Sequence, residues 1–365
     1  MNYDVVYLGM DVHKETITLA GYVDQEQILR FQKTIIHSEQ AIKKEFEKIS
    51  SLGKINCCYE AGFSGYHLHR FVKSLGYDCK VIAPSLILKK AGDKVKTDKK
   101  DAKKLAQLLR AGLLSPVNVP SIENEQDRAL LRLRGQIKKD SIRAKHRIVK
   151  FLALRGLSFK GTNWSIAHRK YLNTLCLEGS DQLLLNEYLT NLSYLEVRLK
   201  DIDVEVQRLA DTPKYRAKVS ALKCFRGIGT LSSLTLLTEI KQVTNFLPVE
   251  LMSYFGLTPS EHSSGSSIYR GAITRQGNSR LRHVIIEAAW HYLRAPKISA
   301  VQAKNFEGQD KEIVLLSIKA LKRLSKRFYR LSLRKERNVA VVAVARELVG
   351  FIWAAMTVLE TKETV

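Results

Sequence analysis

Between Val5 and Arg110 the chain switches repeatedly between two hydrophobic periodicities, and the order of those switches restricts the folds open to it. Val5-Val6-Tyr7-Leu8-Gly9-Met10 is a short, nearly continuous apolar run of the kind that fills a buried strand, ending at Asp11. Thr16 to Val23 and Ile28 to Ile36 follow as two further strands, joined by short polar turns. Residues 38–52 change to helical spacing, with Ile42, Phe46 and Ile49 on one stripe. Ile55 to Tyr59 predicts a strand ending at Glu60, residues 66–76 a second helix, and Cys79 to Ala83 a fifth strand. A last helix opens at Thr97, whose hydroxyl can cap it, and carries Ala102, Leu105, Leu108 and Leu109 on its apolar side. Asp98 and Asp101 stand three residues apart in its first turn, so both carboxylates leave one face.

Three hairpin-joined strands, then helix, strand, helix, strand, helix, is the element order of the ribonuclease-H-like (RuvC-like) α/β fold, a mixed sheet flanked by helices. The first and fourth strands are neighbours in such a sheet, so Asp11, Glu60, Asp98 and Asp101 are expected to converge from three separate segments. Taken singly, each acid has an ordinary explanation as a polar strand end or as a complement to a helix dipole. Together, four carboxylates repel one another and call for a cation or for raised pKa values. Oxygen ligands suit Mg²⁺ or Mn²⁺. Two such ions about 4 Å apart clamp the attacking and leaving oxygens of a phosphodiester exchange. Lys89, Lys90, Lys94, Lys96, Lys99, Lys100, Lys103 and Lys104 surround the last two acids and read as phosphate contacts.

The charge balance agrees. Sixty Lys and Arg against 36 Asp and Glu give a net +24, which points to a polyanionic partner. No apolar run approaches the roughly 20 residues needed to cross a bilayer and no signal peptide opens the chain, so nucleic acid is favoured over membrane. The five cysteines are odd in number and lack a CxxC pair, and the nine histidines form no zinc pattern. A reducing, cytoplasmic setting without zinc follows.

Asn118-Val119-Pro120 closes the first domain, residues 1–120. Residues 121–215 predict an all-helical spacer. Its first part, 123–155, is basic; further on, Leu185, Tyr188, Leu192, Leu195, Leu199, Ile202, Val206 and Leu209 step by three and four in a coiled-coil seam. That seam fits either a hairpin against 123–155 or pairing between protomers. Residues 216–365 form a mainly α-helical third domain. Within it Arg226-Gly227-Ile228-Gly229 resembles the turn of a helix-hairpin-helix segment, or an ordinary helix–helix turn. A Ser/Gly-rich stretch, Glu261-His262-Ser263-Ser264-Gly265-Ser266-Ser267, is flanked by Arg270, Arg275, Arg280 and Arg282. It reads as a flexible linker or as a serine nucleophile, since arginines stabilise charge developing on a phosphodiester.

The motifs Gly9-Met10-Asp11-Val12-His13-Lys14, Tyr59-Glu60-Ala61, Thr97-Asp98-Lys99-Lys100-Asp101-Ala102, Gly256-Leu257-Thr258-Pro259 with Ser264-Gly265, and Asn338 through Trp353 together cover nearly the whole chain. In them the sequence resembles insertion sequence family 110, transposases with a DEDD RuvC-like domain and a C-terminal serine domain. The resemblance implies Asp11, Glu60, Asp98 and Asp101 as metal ligands and Ser264 as nucleophile, with Ser263 its neighbouring alternative. It also implies a homo-oligomer, dimer or tetramer, whose composite site is shared between protomers. A structured RNA from the mobile element would pair with donor and target DNA. The expected activity is insertion and excision of that element by Mg²⁺-dependent strand exchange. A Holliday-junction-type endonuclease would need the carboxylates but no serine, and a non-catalytic nucleic-acid-binding protein would need neither.

Overall fold

The computed structural model describes residues 4–23, 28–88, 97–240, 242–265 and 267–363. Lys89, Lys90, Lys94, Lys96 and Ser266 lie outside them. The chain divides into two compact units, Met1–Pro120 and Ser121–Val365.

The first unit runs β1 (Val5–Val12), β2 (Thr16–Val23), β3 (Phe31–Ile36), α1 (Glu39–Ser50), β4 (Lys54–Glu60), α2 (His67–Ser74), β5 (Asp78–Ile82) and α3 (Asp98–Arg110). Its five strands form one mixed sheet in the order β3-β2-β1-β4-β5. The β1–β2 and β2–β3 pairs are antiparallel, as short turns require, and the helix-connected β1–β4 and β4–β5 pairs are parallel. Val6, Leu8, Met10, Ile17, Leu19, Ile55, Cys57 and Val81 fill the core with Phe46 and Val72 from α1 and α2. The first strand reaches Val12, so Asp11 lies just inside it rather than beyond its end.

Helix α3 lies against β1 and β2 at unusually close range, and Gly9 is the reason. A Cβ at Gly9 would sit 2.1 Å from the Ala102 carbonyl oxygen and 2.5 Å from the Ala106 nitrogen, both backbone atoms. Polar ties fix the approach: Gln107 Nε2 donates to Tyr22 Oη at 2.9 Å and Gln32 Nε2 to the Lys99 carbonyl at 2.7 Å. Gly9→Ala is therefore expected to lift α3 off the sheet. The stability cost is about 1–3 kcal/mol, and Asp98 moves away from β1 with the helix. Thermal melts of the variant measure the cost.

The second unit begins with α4 (Ile122–Ala153), α5 (Ile166–Thr174) and α6 (Ser180–Ala210), continues through α7 (Arg216–Leu222), α8 (Thr230–Glu239) and α9 (Pro248–Tyr254), and reaches the strands β6 (Pro259–Ser264) and β7 (Ser267–Ile273). It ends in α10 (Ser279–Trp290), α11 (Ala300–Phe306), α12 (Lys311–Ser332) and α13 (Arg337–Glu363). Helices α4 and α6 pair within the chain. Arg134 meets Asp203, Lys145 meets Glu196 and Arg155 meets Asp181, a descending series that only an antiparallel hairpin gives. Leu185, Leu192, Ile202 and Val206 of the apolar seam are buried, Leu185 and Leu192 with Ile148 and Leu152 of α4. The root of this hairpin, Leu131, Ile202, Val206 and Ala210, belongs to the same core as α7 to α13.

Two sequence expectations change here. The Ser/Gly-rich stretch is not a linker but an antiparallel ribbon, β6 on β7. Helix α13 is long and apolar enough to cross a membrane by length and composition, contrary to the reading that no such run exists. Half of its apolar window is buried inside the protein, with Val344, Leu348, Ile352 and Ala355 in the large core. The turn between α7 and α8 also has a packing role, since a Cβ at Gly227 (φ +82°) would strike the Ala288 carbonyl of α10 at 2.6 Å.

Candidate active site

Asp11, near the end of β1, is half-buried beneath the first turn of α3. Thr97 caps that helix by accepting from the Lys100 N–H at 3.3 Å, which fixes Asp98 and Asp101 in the turn above β1. The loop after β1 brings in a residue that the strand pattern did not single out as a ligand. His13 Nε2 lies 3.3 Å from Asp11 Oδ2 and 3.5 Å from Asp98 Oδ1. Ligand atoms of Asp11, His13 and Asp98 all fall within 4.8 Å of one another, a spacing that suits one cation. The loop that carries His13 is tied from behind, because His37 Nδ1 donates to the His13 backbone carbonyl at 2.7 Å.

Glu60 ends β4 and is exposed. The register Gly9↔Cys58, Met10↔Tyr59 makes Asp11 and Glu60 the next residues on adjacent parallel strands. Asp101 acts on Asp11 through its charge. Neither Glu60 nor Asp101 joins the 4.8 Å group among the described residues. Burial pushes the Asp11 carboxyl above its ordinary range, partly offset by His13, and the Asp98 and Asp101 charges add to the rise. Two carboxylates and an imidazole, with two further acids at hand and one carboxyl under electrostatic pressure, are a donor set that fits a divalent cation.

The serine segment belongs to the other unit. Its ribbon rises from a root where the two ends cross closely: a Cβ at Gly277 (φ +125°) would meet the Tyr254 carbonyl at 2.3 Å, and one at Gly256 (φ +66°) the Gln276 carbonyl at 2.6 Å. Alternation sends Glu261 and Ser263 to one face and His262 and Ser264 to the other. Ser263 donates to Glu261 Oε1 at 2.9 Å, and Arg270 Nε donates to Glu261 Oε2 at 2.9 Å. Arg270, then Ser263, hold the Glu261 carboxyl below its ordinary range. Ser264 is exposed at the tip opposite Ser267, just before Gly265 (φ +57°), and shares its face with Tyr269.

The arginines divide. Arg282 donates to the Phe255 and Arg275 carbonyls at 3.1 and 3.2 Å and so braces the root. Arg275 and Arg280 are exposed. Beneath the root lies buried Glu239, which the sequence did not mark. Arg132 of α4 grips it with both Nε and Nη2 at 3.0–3.1 Å, and Asn278 Nδ2 donates to it at 3.0 Å while its Oδ1 caps α10. Glu239→Ala is expected to cost about 2–3 kcal/mol, below the usual figure for breaking a fully buried pair because Arg132 is 46% exposed. Urea unfolding of the variant measures it.

The acidic cluster of the first unit has the donor set of a cation site, which fits the class of enzymes that work on phosphodiesters. Comparison with known proteins names that class as transposase. A DEDD transposase model of the IS110 type matches residues 8–155, and the model "Transposase IS116/IS110/IS902 family" matches residues 219–303. The chain is 34% identical over 347 residues to the transposase for insertion sequence element IS1533 of Leptospira borgpetersenii, covering 91% of this chain and 98% of that protein. It is 32% identical over 359 residues to the putative transposase y4qE of Sinorhizobium fredii, covering 97% and 89%. The transposase for element IS1111A of Coxiella burnetii is 24% identical over 368 residues, covering 98% and 91%. The chain belongs to the IS110/IS116/IS902 family of transposases, enzymes of bacterial mobile elements that cleave and transfer DNA strands.

Proposed function

We propose that this transposase inserts and excises its element by strand exchange in which Asp11, Glu60, Asp98 and Asp101, with His13, hold Mg²⁺ or Mn²⁺, and Ser264 attacks the phosphodiester. The grouping of Asp11, His13 and Asp98 within 4.8 Å under the Thr97-capped turn carries the reading. The sheet order β3-β2-β1-β4-β5 supports a ribonuclease-H-like assignment for the first unit. A bound divalent cation supplies positive charge against the oxygens that gain charge during exchange.

The chain's own groups account for the rest. Attack forms a bond from the Ser264 oxygen to phosphorus and breaks the bond to the leaving strand oxygen. The serine proton passes to a base and a proton returns to the leaving oxygen. His262 shares Ser264's face of the ribbon and Glu261 shares Ser263's. Exposed Arg275 and Arg280 suit the phosphate oxygens, as do Lys99 and Lys100 beside the acids. Lys96 joins them in this proposal from sequence alone.

The number of basic residues in α4 overstates its free positive surface, although the net +24 of the chain already subtracts the paired acids. Arg128 donates to the Thr238 carbonyl, Arg132 holds Glu239, Arg134 holds Asp203, and Lys145 holds Glu196. What remains still suits a long polyanion, and we include a structured guide RNA, donor and target DNA, and a homo-oligomer in the proposal. The test combines a labelled element-end DNA with a salt series. Strand cleavage should require Mg²⁺ or Mn²⁺ and vanish with chelator. Roughly 6–10 phosphate contacts would weaken binding by about 10³–10⁵ between 50 and 200 mM salt. Cation-independent cleavage, or a flat salt profile, contradicts the proposal.

A further inference from the structure

The loop after Glu60 presents a large apolar ring to solvent from a rigid base. Phe63 is 63% exposed and occupies the first central position of a turn closed by the Gly65 N–H donating to the Gly62 carbonyl at 3.2 Å. Buried Tyr59 anchors the turn from below: its hydroxyl donates to the Gly65 carbonyl at 2.8 Å and accepts from the His69 N–H at 3.3 Å. A singly exposed apolar side chain is ordinary. A phenyl ring held outward on a turn pinned to the sheet, with a second ring beside it, is a built surface.

That second ring connects it to the acids. His37 meets Phe63 edge-on, with centroids 6.3 Å apart and planes at 69°. His37 Nδ1 in turn holds the His13 carbonyl, and His13 Nε2 touches Asp11 and Asp98. Three contacts thus run from the carboxylates to the phenyl face. Phosphate contacts need cations, whereas an aromatic face beside a strand-cleaving site suits the one apolar surface of a nucleotide, the face of its base.

We propose that Phe63, braced by His37, is a stacking platform for an unpaired nucleobase of the DNA strand that enters the Asp11–His13–Asp98 cluster. This rests on the reading of that cluster as the strand-cleaving site. Stacking there holds a base out of the duplex, so the adjoining phosphate is presented in an extended single strand.

The test uses the full-length protein and a single-stranded oligonucleotide carrying 2-aminopurine, whose fluorescence falls on stacking. Parent protein should quench it on binding. Phe63→Ala should lose most of the quench and bind about tenfold more weakly, with an unchanged melting temperature because the ring is exposed. Phe63→Trp should restore both. Equal quenching and affinity in Phe63→Ala, or no rescue by Phe63→Trp, overturns the proposal. Asp11→Asn is run in parallel and should stack the base without cleaving. Normal cleavage by Asp11→Asn would remove the cluster's catalytic role, and with it the placement of the platform at a cleavage site, whereas a failed Phe63 series leaves that role standing.

Discussion

Ser264→Ala should bind nucleic acid as the parent does, yet form no covalent joint to DNA and no recombinants. The side chain is exposed at the ribbon tip, so its loss removes no packing and the fold should melt unchanged. The chemical effect is large, at least about 10³-fold, because no other group takes over when a nucleophile is removed. Ser263 is the rival, and the ribbon treats the two differently. Ser263 is already engaged by Glu261, whose carboxyl is kept ionised by Arg270. Ser264 stands on the opposite face, directly before the left-handed Gly265. Ser263→Ala should therefore retain the adduct, with loss confined to ribbon order. Denaturing electrophoresis of labelled substrate separates the cases.

Asp11→Asn should abolish strand exchange while making the cation-free protein more heat-stable. The sign follows from the raised Asp11 carboxyl, whose main cause is burial. Its charged form is disfavoured in the folded chain, so folding loses stability as pH rises through the raised value. Asn stays neutral and escapes that penalty. The variant's advantage should be present at neutral pH and disappear as pH falls towards the ordinary aspartate value of 3.8. Added Mg²⁺ should reverse the order, since the parent should gain the larger ligand stabilisation, about 2.7 kcal/mol at 100 times its Kd. Melting curves at two pH values, with Mg²⁺ and with chelator, give all four comparisons.

The first unit was largely legible in the sequence because its strands are buried on a regular pattern. Val6, Leu8 and Met10 announce β1, and the Thr97 cap with Ala102, Leu105 and Leu109 announces α3. His13 was not marked as a ligand because nothing in its local sequence reports that α3 crosses above it. That crossing depends on Gly9, whose missing side chain registers in no hydrophobic count. The ribbon was illegible for a different reason. From Glu261 to Gly271 its residues are exposed, apart from Ser266 outside the described residues, so no alternation marks them, and main-chain pairing and the packed root hold the strands. The α6 seam was readable but its partner was not, since apolar spacing says that a face is covered and not by what. Charged pairs such as Arg134–Asp203 supply that answer only in three dimensions.

In the proposed reaction a serine of the ribbon becomes joined to DNA under control of the acidic cluster. Trypsin digestion of the trapped protein–DNA complex, followed by peptide mass fragmentation, tests it directly. The region yields one peptide from Gln242 to Arg270, long enough to place a nucleotide remnant on a single residue. The remnant should sit on Ser264 in the parent protein with Mg²⁺, and be absent in Asp11→Asn. A remnant on a residue outside the ribbon, or an equal yield on Ser264 in Asp11→Asn, would contradict the proposed reaction.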